Sequence, residues 1–280
     1  LHVQDAAAGL PFSPFELGPN AGRHAYKMNA LSVSEIFAYV CGLGDIQRDI
    51  VYQALVAGYE AHGHGGLTPP RGIPTLTEVR DLIAELERER GVANVLARCR
   101  PLLEYGLFTD NTGLSVQELI RGGLIVDLHG FAEVEQAQLA ASAFLLRKIY
   151  KDMFSWGQTG ELRLAIVLDE AHRLAKDSTL PKLMKEGRKF GIAVIVTSQG
   201  IDDFHPDVLA NAGTKVIFRV NYPQSRKAAG FVRTRTGRDL AEDIEQLPVG
   251  EAYVQTPGMA SARRTRMLRP VSGDGPAGQA

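Results

Sequence analysis

Leu164-Ala165-Ile166-Val167-Leu168-Asp169-Glu170-Ala171-His172 is a short apolar run that ends in two adjacent carboxylates. An uninterrupted stretch of this length and composition reads as a strand buried on both faces of a parallel sheet. In such open sheets ligands sit beyond the carboxyl ends of the strands, so Asp169 and Glu170 are expected to project into a crevice. Burying two unpaired carboxylates is costly, so a cation or a protic group is expected to meet them there. A magnesium-bound nucleotide and an attacking water would serve, with Asp169 holding the hydrated Mg²⁺ and Glu170 polarising the water. An Asp-Glu pair can equally be the cap and first turn of the next helix, where negative charge is favoured. The pair alone leaves both readings open.

The text around it extends the pattern. Further strands are expected at residues 123–128, 162–169, 192–198, 215–220 and 251–256, with helices at 134–156, 180–190, 207–212 and 224–232 between them. Short apolar strands alternating with helices predict an α/β three-layer sandwich with a mainly parallel sheet covered on both faces. Leu1 to Asp5 alternates apolar with polar and reads as one more strand, followed by a Gly/Pro-rich loop over residues 9–18. Residues 28–121 read instead as helices. Ser32 and Glu35 have capping-box spacing, and Pro69, Pro70 and Pro74 separate helices expected at 45–61 and 75–89. The expected organisation is a core formed by residues 1–27 and 122–270, a helical insertion over 28–121, and a disordered tail over 271–280.

Thr197-Ser198-Gln199 closes the strand that follows, so Gln199 is expected at the same edge as the carboxylates. A neutral amide there can hydrogen-bond both a phosphate oxygen and a water, although a loop glutamine capping exposed backbone is the plainer alternative. Arg188 falls near the end of a helix that Gly191 stops. Taken by itself, a cation in that position complements the helix dipole.

Three segments together resemble a known group: Leu168-Asp169-Glu170-Ala171-His172, Glu186-Gly187-Arg188-Lys189-Phe190-Gly191, and Val194-Ile195-Val196-Thr197-Ser198-Gln199. The combination resembles the HerA and FtsK class of hexameric, RecA-like DNA motors, which includes conjugative coupling proteins such as TrwB and the DptH-type restriction ATPases. The resemblance covers roughly residues 121–256. It implies ATP and Mg²⁺ as cofactors, Asp169 and Glu170 as the Walker B pair with Asp169 toward the metal, and Gln199 as the γ-phosphate sensor. It further implies Arg188 as an arginine finger reaching a neighbouring subunit's ATP in a homo-hexamer, and DNA as the partner. One departure stands out. No GxxxxGK[ST] loop occurs in the 280 residues, so the amides and lysine that cradle the phosphates are missing. The resemblance places that loop before the strand at residues 1–5, so it is expected upstream of Leu1, and this chain alone is expected to be inactive.

Neighbouring groups fit less well. A superfamily-2 helicase would carry a downstream QxxGRxGR motif, of which residues 233–238 show only a partial version; an ABC ATPase would carry an LSGGQ-like signature; AAA+ motors usually place an asparagine where Gln199 stands. A non-hydrolysing DNA-binding or assembly module is the alternative from a different class. Lys215, Arg219, Arg226, Lys227, Arg233, Arg235 and Arg238 occur without an intervening acid, so Arg226, Lys227, Arg233 and Arg235 are candidate phosphate contacts, against the reading of a solvated face. The Arg263, Arg264, Arg266 and Arg269 cluster is a weaker candidate.

Composition sets the outer limits. At 45% hydrophobic and 22% charged, the 280 residues suffice for a substantial core. Lys plus Arg (31) nearly cancels Asp plus Glu (32), so any DNA site must be local. No apolar run approaches the ~20 residues that cross a bilayer, and no signal-peptide pattern opens the chain, which points to the cytoplasm. Cys41 and Cys99 form no CxxC pattern, and His62 and His64 sit in a glycine-rich loop without further ligands nearby in sequence.

Overall fold

The alternation of residues 2–5 does make a strand. In the computed structural model, which describes residues 1–18, 21–109, 115–170, 174, 177–235 and 237–268, His2–Asp5 (β1) pairs in parallel with Leu124–Asp127 (β2), His2 lying opposite Leu124 and Asp5 opposite Asp127. The chain between them is helical: Ala25–Cys41 (α1), Asp45–Ala61 (α2), Leu76–Arg90 (α3), Val95–Leu103 (α4) and Val116–Leu119 (α5). After β2 come Glu135–Met153 (α6), Leu164–Leu168 (β3), Thr179–Glu186 (α7), Ile192–Val196 (β4) and Pro206–Asn211 (α8). Lys215–Ile217 (β5), Gln224–Ala229 (α9), Ala241–Glu245 (α10), Glu251–Gln255 (β6) and Arg263–Arg266 (β7) complete the order.

The chain divides into two units, one of Leu1–Ile166 with Lys176–Val194 and the other of Val167–Ala175 with Ile195–Ala280. The first is held by aromatic packing. Phe12, Phe15, Phe37, Tyr59 and Phe144 are fully buried, and Phe144 meets Phe37 and Phe108 edge-on at ring-centroid distances of 6.2 and 5.1 Å. Each such burial contributes on the order of 2–3 kcal/mol. A polar knot ties α1, α2 and α6 together beside it. Arg147, 6% exposed, donates from Nη2 to Asn29 Oδ1 (2.6 Å) and from Nε to Ser32 Oγ (2.7 Å). Lys151 donates to the same Asn29 oxygen (2.5 Å) and to the Glu16 carbonyl (3.0 Å). Asn29 Nδ2 donates in turn to Tyr59 Oη (2.6 Å), and Lys148 pairs with Glu16 at 2.5 Å.

The knot explains one correction. Ser32 is not a cap, because α1 begins at Ala25, with no glycine or proline between His24 and Cys41 to stop it and with Tyr26, Asn29 and Ala30 already buried. Mid-helix, the Ser32 hydroxyl serves Arg147 instead. Capping boxes form at Thr75 with Glu78 and at Ser115 with Glu118. His62 is held by Glu78 at 3.2 Å and His64 by the Gly72 carbonyl at 2.7 Å, so both imidazoles have structural partners.

The second unit packs Ala228, Val232, Leu240, Ile244, Leu247 and Tyr253 into its own core, beside the sheet β5-β6-β7. That sheet is antiparallel throughout, with Val216 opposite Val254 and Tyr253 opposite Arg264. This differs from the expected single, mainly parallel sheet. The described strands form three small sheets, two of them parallel pairs, because the chain reverses through α9 and α10 after β5 and makes a hairpin around Gly258 (φ 87°) after β6. Coverage on both faces is not observed either: Val3 and Ile125, opposite one another on β1 and β2, are 64% and 45% exposed, and Val167 on β3 is 63% exposed. The tail over residues 271–280, Arg269, and Ala171 and His172 of the opening motif lie outside the described residues.

Candidate nucleotide site and basic surface

β3 and β4 are paired. Leu164 N donates to Gly191 O (3.1 Å) at their start and Thr197 N to Leu168 O (3.0 Å) at their end, so the two strands run in the same direction. Gly191 is fixed by geometry: its φ is 78°, and a Cβ there would lie 2.3 Å from the Glu161 carbonyl oxygen. Parallel pairing in this register delivers residues 169–170 and 197–199 side by side. Thr197 Oγ1 donates to Asp169 Oδ1 (2.5 Å), and Gln199 Nε2 donates to Glu170 Oε1 (3.1 Å). Each carboxylate thus meets one polar side chain of the next strand end. Glu170 takes a positive φ of 53°, turning the chain sharply at the end of β3.

Asp169 is exposed and Glu170 half-buried. The expected burial of the pair is therefore met only in part: with Asp169 open to solvent, the desolvation cost is smaller than for a buried pair. As a donor set, two carboxylates, a hydroxyl and an amide oxygen are all hard oxygen ligands and suit Mg²⁺. Among the described residues no group of three or more His, Cys, Asp or Glu could hold a metal. Mg²⁺ at Asp169 would thus draw most of its ligands from phosphate and water, as it commonly does. Thr197 is the residue that sequence reading passed over; its place two residues before Gln199, on the same side of an extended chain, was the available signal.

Gln199 continues into a tightly tied loop. Asp203 Oδ2 accepts from Ser198 Oγ (2.5 Å) and from Gly200 N (3.0 Å). Gln224, the first residue of α9, accepts from Ile201 N (3.1 Å) through Oε1 and donates to Asp202 Oδ2 (3.2 Å) through Nε2. Asp202 also forms an ion pair with Lys227. The Lys227 ammonium first, and the Gln224 amide second, hold the Asp202 carboxyl below its ordinary range.

That pair divides the predicted basic stripe. Lys227 is engaged by Asp202 and Arg238 by Asp243 (2.7 Å), whereas Arg226, Arg233 and Arg235 are exposed and form no ion pair among the described residues. β7 adds to the same unit. Ala262 N donates to the Arg233 carbonyl (2.8 Å), which brings the start of β7 beside Arg233, and all four β7 residues are exposed. Arg264 is paired with Glu251 at 2.5 Å. Arg188 belongs to the other unit, where it is exposed in a 3-10 turn over Gly187–Phe190 that follows α7.

Sequence and fold are matched by known proteins. The family profile described as the type IV secretion-system coupling protein DNA-binding domain matches residues 77–266. The DNA double-strand break repair helicase HerA of Sulfurisphaera tokodaii is 32% identical over 191 residues, 64% of this chain and 39% of that protein. A probable DNA double-strand break repair helicase HerA of Methanocaldococcus jannaschii is 32% identical over 96 residues, which span 19% of its length. The chain therefore covers well under half of these relatives. VirB4 of Thermoanaerobacter pseudethanolicus superposes with a TM-score of 0.71 at 17% identity, over 96% of this chain and 77% of that one. The plasmid coupling protein TrwB in complex with ADP and Mg²⁺ superposes with a TM-score of 0.60 at 15% identity, over 95% and 77%. The architecture is thus the mixed α/β fold of the TrwB and VirB4 ATPase domains. The chain belongs to the HerA/VirB4/TrwB-type ATPase family. Among the described residues no helix is long and apolar enough to cross a membrane.

Proposed function

We propose that this chain forms the hydrolytic part of the RecA-like motor core of a DNA translocase, working in a homo-hexamer. The observation that carries the reading is the pairing of two strand ends, Asp169 with Thr197 and Glu170 with Gln199. Asp169 would hold Mg²⁺, which when bound neutralises charge on the transferring phosphoryl group. Thr197 fixes the orientation of the Asp169 carboxylate by occupying one lone pair of Oδ1, leaving Oδ2 for the metal or its water. Glu170 accepts a proton from the attacking water, and Gln199, hydrogen-bonded to it, sets where that carboxylate points. Arg188, exposed on its turn, would act on the ATP of a neighbouring subunit. Arg226, Arg233 and Arg235, exposed and outside any ion pair among the described residues, would be available to DNA phosphates.

The sequence lacks a GxxxxGK[ST] loop, so tight capture of ATP requires a phosphate-binding loop from elsewhere in the protein. The same fact favours a second reading, a DNA-binding module without turnover. In the intact protein, Glu170→Gln is expected to keep Mg-ATP binding while turnover falls about 10²-fold or more. Near-normal turnover would remove Glu170 from its role, and DNA binding by a wild-type protein that hydrolyses nothing would establish the second reading. Sequence-independent DNA binding whose salt dependence flattens when Arg226, Arg233 and Arg235 are replaced by alanine is expected under both.

A further inference from the structure

Lys227 is on the basic helix, yet it is not a free cation. Its ammonium is held by Asp202, which Gln224 also holds, and Gln224 at the same time closes the amide of Ile201. Two residues, Gly200 and Ile201, separate Asp202 from Gln199, whose amide bears on Glu170. The basic helix and the candidate hydrolytic carboxylate are therefore joined by one short loop and a few side-chain bonds, all within the second unit.

We propose that Lys227 is a masked DNA contact: Asp202 holds it at rest, and a DNA phosphate that takes it over loosens the turn at Ile201 and Asp202 in the loop that follows Gln199. The proposal rests on the reading of this chain as a DNA-binding motor core.

Energetics favour a reversible mask. The Lys227 and Asp202 side chains are 46% and 56% exposed. Ion pairs this exposed contribute little net stability, so a phosphate can displace the carboxylate with little loss, and counterion release from DNA drives the exchange. A buried pair would instead be locked. Once Lys227 leaves, Asp202 retains among the described residues the Gln224 amide alone, and the Gln224 bonds to Asp202 and Ile201 N lose one support, while Asp203 still holds Ser198 and Gly200. Gly200 lies at the pivot: a Cβ there would come within 3.2 Å of Asp203 Oδ2 and 3.5 Å of the Gln224 amide, so loop and helix are in close approach. Gln224 is thus a positioning residue for the loop, and Lys227 the group through which DNA reaches it.

A double-mutant cycle with a duplex of arbitrary sequence tests this. Lys227→Met is expected to lower the log–log salt slope of binding by about 0.9, in the Asp202 and the Asp202→Asn backgrounds alike. Asp202→Asn is expected to strengthen binding about two- to fivefold when Lys227 is present and to have no effect when position 227 is methionine. A slope unchanged by Lys227→Met would mean that the pair persists in the complex. An equal gain from Asp202→Asn in both backgrounds would reduce Asp202 to general repulsion. Either result overturns the mask. Hydrogen exchange at the Ile201 amide tests the link to the loop: exchange should quicken when DNA binds the wild-type protein and stay unchanged in Lys227→Met. DNA binding with the expected slopes but no change at Ile201 would overturn the loosening step alone, and no DNA binding by the wild type would bring down the motor reading itself.

Discussion

Lys151 makes the first unit's stability depend on pH. Its ammonium is half-buried beneath residues 12–18, with Asn29 Oδ1 and the Glu16 carbonyl as acceptors. Burial first, then the neighbouring Arg147 cation, push its pKa down from 10.5 to about 7; Lys148 acts in the same direction, while Asp152 and Glu16 only partly oppose them. Between about pH 7 and 10.5 the unfolded chain therefore holds a proton that the folded chain does not, and stability rises as pH rises through that window. Below pH 7 the lysine is charged in both states and adds no further slope. Above about pH 9 the Cys99 and Tyr59 hydrogens, both held more tightly in the folded chain, act in the opposite sense. The clean interval is pH 7 to 8.5, where Lys151 contributes up to about 2 kcal/mol at ~1.4 kcal/mol per pH unit. Urea unfolding followed by the fluorescence of Trp156, the chain's one tryptophan and part of the first unit, should show this rise. Lys151→Met should remove it. The same rise in Lys151→Met, or a wild-type midpoint that does not move over the interval, would refute the assignment.

Two further outcomes follow from the same geometry and from the motor reading. Asn29→Ala removes the shared acceptor of Arg147 and Lys151 together with the donor to Tyr59, and should cost about 2–4 kcal/mol by urea unfolding, because charged donors are left unmatched; a loss under 1 kcal/mol would show that the knot is redundant. For Arg188, subunits carrying Arg188→Ala and subunits carrying Glu170→Gln should each be nearly inactive alone and should partly recover ATPase activity when mixed in one ring. An active Arg188→Ala ring, or no recovery in rings proven to be mixed, would return Arg188 to the role of a cation complementing a helix end.

Strands β1 to β6 were legible because each carries an apolar run or alternation bounded by turn residues, and the helices α2, α3 and α6 because proline and glycine punctuate them. β7 was not. Arg263-Arg264-Thr265-Arg266 has no apolar face, since it is an edge strand with both sides in water, and period-two patterning records burial rather than pairing. Strand direction was equally hidden, because β5 is the same short apolar run whether its partner is parallel or antiparallel. At the candidate site the convergence of Asp169, Glu170 and Gln199 could be read from strand ends alone. The engagement of Lys227 by Asp202 could not: the two are 25 positions apart, and no local pattern encodes a partner at that distance. Ser32 shows the converse, a correct local motif overruled because the helix already runs from Ala25 with Tyr26, Asn29 and Ala30 buried, which leaves the mid-helix hydroxyl to Arg147.

Glu170 occupies the left-handed region that glycine and asparagine enter freely and that other L residues enter at about 1–2 kcal/mol. A library screened only for heat resistance should therefore drift toward glycine or asparagine at position 170, and every clone that gains there discards a carboxylate. If Glu170 has the proposed role, the survivors would fold better and be chemically blank, and selection for endurance and selection for turnover would pull this one codon in opposite directions.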